Sequence, residues 1–261
     1  MQGELKNYTL GRGKLYFDKF AAVNTEIPTG ERYLGNTPAI TMTTAYQNLD
    51  HYSSDEGVRV RDDSVQLQVD RAGTFQCDNI NMENIAIMFG IAPPVEESTT
   101  AATAKTEDIV VQKGLWYQLG TDLYADGIGA VTNVSVTVTA SPVTMAGNYQ
   151  VDLEKGRIFI EDGATDIDND DEITVTYDVV VQDRVVVVDD NTQVEGSLRF
   201  IADNPKGTNR DYYWPHVRLA PSGEFALKGE TWQTMTFAFE ILIPKDGRKM
   251  VYIREVLAPA A

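Results

Sequence analysis

The sequence predicts an all-β protein, mainly antiparallel, with one short flanking α-helix. Three observations lead there: apolar and polar residues alternate with period two in successive runs, glycine-bearing turns separate those runs, and one ten-residue stretch has helical spacing instead. The composition, 43% apolar and 23% charged over 261 residues, is that of a globular chain with enough length for one large β domain or two smaller ones.

In chain order, Val65, Leu67 and Val69 alternate with Gln66, Gln68 and Asp70, which predicts a strand with one apolar and one polar face. Asn81 to Gly90 then breaks the pattern. Asn81 is a capping residue, Gly90 a stop, and Met82, Ile85, Ala86 and Phe89 fall at helical spacing, so one short helix packed on a sheet is expected. Strand alternation resumes at Val134, Val136 and Val138 against Ser135, Thr137 and Thr139, and again at Ile173, Val175, Tyr177 and Val179. The strongest run is the last, where Met235, Phe237, Phe239, Ile241 and Ile243 form one face, with Thr234, Thr236 and Glu240 on the other. Glu154-Lys155-Gly156, Asp162-Gly163, Ser222-Gly223 and Asp246-Gly247 supply the turns.

Residues 92–105 are rich in Pro, Thr, Ala and Glu and read as an exposed linker that opens an inserted block. Residues 92–184 hold 17 acidic and 5 basic side chains, so most of the net charge of −17 falls in that block. The expected organisation is a core of residues 1–91 and 185–261 carrying an acidic β-rich lobe at 92–184.

Charge and cysteine content narrow the function. With 39 acidic against 22 basic residues the surface repels nucleic acid rather than gripping it. Cys77 is the single cysteine, which rules out an intramolecular disulfide and a cysteine-rich zinc site. No leader segment and no apolar run of membrane-spanning length is expected.

Candidate chemistry is sparse. Asp166-Ile167-Asp168-Asn169-Asp170-Asp171-Glu172 opens like a calcium loop but has Asp171 and Tyr177 where such a loop needs Gly and Glu, so a solvated turn is the better reading. His51, within Asp50 to Asp55, has an acid and hydroxyls beside it in sequence, yet strand neighbours diverge and no Gly-x-Ser-x-Gly elbow exists. His216 is expected to pack beside aromatics. The pairs Asp62-Asp63 and Asp189-Asp190 diverge as neighbours do, so a glycosidase is only a weak third option. Neither Gly11-Arg12-Gly13-Lys14 nor Gly30 to Gly35 has the spacing of a phosphate loop. No enzyme activity, cofactor or metal is expected. Trp116-Tyr117, Tyr212-Tyr213-Trp214 and Trp232 fit either a sugar-stacking platform or subunit-interface anchors; the polar flank Gly207, Asn209, Arg210 and Asp211 favours an interface for Tyr212 and Trp214.

Several ordered segments together resemble the major tail tube proteins of long-tailed, non-contractile bacteriophages: Tyr8 to Phe17, Glu31 to Pro38, Leu49 to Ser54, Asp62 to Val65 with Asp78 to Ile80, and Gly229 to Trp232 before the long alternating strand. The resemblance covers about residues 5–91 and 195–245. It implies a β-sandwich with one flanking helix that assembles as hexameric rings, stacked into a tube through which DNA leaves the capsid. It further implies tape-measure and tail terminator or tip proteins as partners, synthesis in the host bacterial cytoplasm and a final place in the virion tail, with the lobe on the tube exterior. A closed ring pairs each sheet edge with the next subunit, and a lining that is acidic or neutral lets DNA slide.

Under that resemblance Gln66, Gln68, Asp70 and Glu240 are the candidates to face the lumen. The N-terminal arm 1–13, an irregular loop Tyr46–Asp63 and the tail Pro244–Ala261 are the candidates for contacts between rings. Within the loop, Asp50, Asp55, Glu56, Arg59, Arg61, Asp62 and Asp63 carry the mixed charge that sets register. The alternative is a monomeric β-sandwich adhesin or carbohydrate-binding module, motivated by the aromatic clusters and acidic turns.

Overall fold

A computed structural model describes residues 8–55, 57–89, 94–187 and 193–255. It is nearly all β, in antiparallel sheets, with one short helix, as the periodicity predicts. The chain forms two compact units, one from Met1–Pro94 with Val187–Ala261 and one from Val95–Val186. The sequence reading set these boundaries at 91/92 and 184/185.

Unit 1 begins with β1 (Gly13–Lys19), β2 (Arg32–Tyr33), β3 (Ala39–Ser53), β4 (Val60–Cys77) and α1 (Met82–Met88). Unit 2 holds β5 (Val95–Ser98), β6 (Ala102–Val110), β7 (Trp116–Gln118), β8 (Val131–Val138), β9 (Ser141–Val143), β10 (Tyr149–Asp152), β11 (Arg157–Ile160), β12 (Glu172–Val179) and β13 (Asp183–Val186). The chain then returns to unit 1 for β14 (Val194–Ala202), β15 (Arg210–Pro221), β16 (Met235–Ile241) and β17 (Tyr252–Glu255).

One sheet organises unit 1, in the order β2-β1-β14-β15-β16-β4-β3, with β17 also paired to β15. Its buried face is the alternation read from the sequence. Met235, Phe237, Phe239 and Ile241 point inward with Leu15, Phe17, Phe75, Leu198, Trp214 and Val217, and Phe75 stacks on Phe237 at 4.9 Å. Gly73 in β4 admits the Phe239 ring where any Cβ would collide with it.

The helix forms where expected, but it buries a different face. Asn84, Ala86, Ile87 and Met88 are inside, while Phe89 is 52% exposed. The side chain of Asn81 accepts from the Asn84 N–H, as a cap should. Asn84 then sets the rotation of the helix: its Nδ2 donates to the carbonyls of Leu34 (2.9 Å) and Asn79 (2.8 Å), and its Oδ1 accepts from Arg32 (2.7 Å). A buried amide with three partners outranks the apolar pattern, because each unmet partner would be stranded away from water. Gly90 lies outside the described residues.

Unit 2 has its own core, with Val136, Ile158, Ile160, Ile173, Val175 and Tyr177 buried among the sheets β6-β12-β8-β9 and β10-β11-β7; β5 pairs with β13.

A candidate assembly surface

The strand β4 is longer than the neighbour that packs it into the core. β16 pairs with it only from Ala72↔Glu240 to Cys77↔Met235, whereas β3 follows it from Ala39↔Gln76 to Ser53↔Val60. Past Ala72 the sheet continues as a two-stranded ribbon. Tyr46, Leu49, Val65 and Leu67 on it are 54–63% exposed, and Val60 near its end is 62% exposed. Such a ribbon is marginal in water unless something covers its apolar side.

The register sorts the ribbon by polarity. Tyr46 stands opposite Val69 and Leu49 opposite Val65, with Leu67 at the irregularity between them. Gln47 stands opposite Gln68, Asn48 opposite Gln66 and Ala45 opposite Asp70. Gln68 Nε2 donates to both Asp70 oxygens at 2.8 Å, which fixes these two residues on one face. Because Glu240 pairs with Ala72, two residues on from Asp70, it shares that face. Gln68, Asp70 and Glu240, three of the four residues expected at a lumen, thus share one exposed face, beside the Thr41–Thr74 hydroxyl pair (2.8 Å); Gln66 is exposed as well but lies across the register shift at Gln47/Asn48, which breaks the alternation.

The expected irregular loop Tyr46–Asp63 is instead strand on both sides of a short connection at 54–59. The sequence hid this because Tyr46, Leu49 and Tyr52 recur every third residue, a spacing that fits no regular strand. Register shifts between Gln47/Asn48 and His51/Tyr52 absorb the mismatch and set all three opposite odd-numbered β4 residues, Val69, Val65 and Arg61.

The mixed charges at the ribbon end pair with each other across the strands. Asp50 accepts from the Ser64 hydroxyl (2.6 Å) and from Arg61 (3.3 Å); the hydroxyl first and then Arg61 hold its carboxyl below the usual range. His51 Nδ1 lies 2.6 Å from Asp62, with its side chain largely in solvent, and Asp63 accepts from the Ser64 N–H. Arg59 sits over the Tyr52 ring at 5.5 Å, and the Asp55 N–H reaches the Ser53 hydroxyl. Glu56 lies outside the described residues, as do residues 1–7 of the expected N-terminal arm and 256–261 of the expected tail. The described part of that tail is not irregular throughout: β17 pairs with β15, from Arg210↔Glu255 to Tyr213↔Tyr252.

Trp214 requires a correction. It is 1% exposed, against Phe239 at 5.6 Å, and serves the core of its own unit rather than a surface contact. The polar flank misled because it does not fix burial farther along the strand: Arg210 is exposed, while Trp214, four residues on in β15 and of the same parity, is buried. Tyr212 is half-buried and stacks on Trp214 at 5.9 Å and 16°. Both rings line a pocket of about 730 Å³ together with Arg12, Asn36, Met42 and Phe200. The Trp214 indole N–H is buried without an acceptor among the described residues.

Two further sites were invisible in the sequence. His216 packs beside Phe20 as expected, but its ring nitrogens also lie 3.0 Å from Glu26 and 3.3 Å from Glu195, and Arg218 donates to Glu195 at 3.0 Å. Burial pushes the Glu195 carboxyl up, yet the Asn24 N–H, Arg218 and His216 together hold it below its ordinary value. In unit 2, Tyr177 donates to Glu107 at 2.8 Å, and burial, with Asp122 adding to it, raises the Glu107 carboxyl. The Asp-rich turn is braced by an ammonium: Lys113 Nζ donates to the Ala164 carbonyl (2.9 Å) and to Asp168 (3.0 Å). Among the described residues no group of three or more His, Cys, Asp or Glu could hold a metal ion, and no helix is long and apolar enough to cross a membrane.

A family model described as protein of unknown function UCP028589 matches residues 8–249. The chain belongs to this family. The UCP028589 match runs from before β1 to beyond β16, so the acidic lobe lies within the family's span. No curated protein matches the chain.

Proposed function

We propose that this chain is a structural subunit that self-assembles through unit 1 into stacked hexameric rings, forming the tail tube of a long-tailed, non-contractile phage and the conduit for its DNA. The observation that carries this reading is the amphipathic ribbon of β3 and β4, whose apolar side has no cover within the described residues and whose outer strand is an unpaired sheet edge. Edges and apolar faces of this kind are closed in ring assemblies by the next copy. The polar face supports a conduit: Thr41, Thr74 and Gln68 are neutral, and Asp70 and Glu240 repel phosphate. In this reading the subunit is made in the host cytoplasm, ends in the virion, works with tape-measure and terminator or tip proteins and catalyses nothing.

Negative-stain electron microscopy and light scattering across a concentration series test it. Rings or hollow tubes are the expected result, and a monomer at every concentration, with or without a tape-measure partner, counts against it. One observation favours the second reading, a carbohydrate-binding module: in unit 2, Trp116 is 43% exposed, with Phe159 at 5.2 Å and Arg157 over its ring at 5.0 Å. Glycan array binding by a chain that stays monomeric would support that alternative.

A further inference from the structure

The pocket beside Trp214 and the end of the ribbon have complementary surfaces. The pocket is walled by the apolar side chains of Met42 and Phe200 and by Tyr212 and Trp214. At its rim stands the exposed Arg12, whose guanidinium donates to the carbonyl of its neighbour Gly11. The ribbon end offers the complement: Val58 and Val60 are 76% and 62% exposed, and Asp55 and Asp63 are exposed acids nearby.

We infer that this pocket is the receiving half of a head-to-tail contact in which the ribbon end of a second copy of this chain is seated. The inference rests on the self-assembly reading above and names the partner surface. The ribbon cannot serve its own pocket, because Met42 lies at the base of β3 and Ser53 at its far end, about 35 Å away along a strand rising roughly 3.3 Å per residue. Copies that each carry −17 repel in general, so a contact that sets Arg12 against Asp55 or Asp63 selects one docking geometry over others. Since knob and pocket are different patches of one unit, the contact is heterologous and each copy keeps a free half for the next. Repetition closes a ring or extends a filament.

The full chain provides the test, with one variant for each half. A Cβ at Gly11 meets nothing within 4 Å, so Gly11→Phe places a ring at the lip of the pocket without displacing the fold. Val58→Glu charges the knob. Sedimentation velocity should show each variant alone losing self-association by at least about tenfold, the scale of a central apolar contact. An equimolar mixture should give a dimer and nothing larger, because the pair retains one intact knob and one intact pocket.

The contact is overturned if both variants assemble like the wild type, if the mixture remains monomeric, or if it rebuilds full tubes. Thermal unfolding matched to wild type qualifies each variant, and Arg12→Glu at the exposed rim replaces Gly11→Phe if that one does not fold. Wild-type rings with unaffected variants would sink this contact alone. A wild type that never associates would sink the assembly reading and this contact with it.

Discussion

Glu195, buried, and Glu107, half-buried, show how two carboxyls can make the units respond to pH with opposite signs. Glu195 is held below the ordinary glutamate value of 4.5, so its contribution to unit 1 is present above that pH and is lost as pH falls through the folded value. Glu195→Gln should lower the stability of unit 1 at neutral pH by about 3 kcal/mol, as breaking a buried ion pair does, and should flatten its acid limb in urea titrations. Glu107 is raised, so its contribution to unit 2 is present below 4.5 and fades as pH rises through the folded value. Glu107→Gln should therefore remove the decline in the melting temperature of unit 2 above pH 4.5; an unchanged slope would show that another group causes it. Asn84→Ala strands the carbonyls of Leu34 and Asn79 and should cost about 2–4 kcal/mol by chemical denaturation. None of the three was legible as a site, since Glu26, Glu195 and His216 lie far apart in the chain and only the fold brings them together.

At the scale of elements, the ribbon of β3 and β4 is what sets this chain apart from a self-sufficient β domain. Replacing Leu49, Val65 and Leu67 by Thr should leave the monomer within about 0.5 kcal/mol of wild type, because these side chains are more than half exposed, and should abolish the proposed assembly in microscopy. A large loss of monomer stability would show instead that the ribbon folds back on its own unit. The strand at 64–75 was readable because apolar and polar side chains alternate along it, and the last long strand at 234–243 because one of its alternating faces is also buried. β3 was not, because two register shifts turn period two into an apparent period three. The helix was readable from its cap, but its buried face was not, since the amide of Asn84 outbid the apolar residues.

For the whole molecule, two separate cores predict two separable cooperative units. Calorimetry of the full chain should resolve two transitions, and the excised segment 95–186 should melt at the temperature of one of them; a single shared transition would show coupling between the units. The charge surplus marks the block 92–184 in the sequence, and the second unit, Val95–Val186, closes a core of its own. Which faces the proposed assembly would use was not legible, because burial in an assembly leaves no periodicity of its own. The unpaired outer edge of β3 has a further consequence. About half of its amide protons are turned away from β4 and have no partner in the sheet. In a free subunit they should exchange for deuterium within seconds, while their inward neighbours on β3 remain protected, so the pattern of slow and fast amides along residues 39–53 becomes a clock for the moment when one copy closes on another.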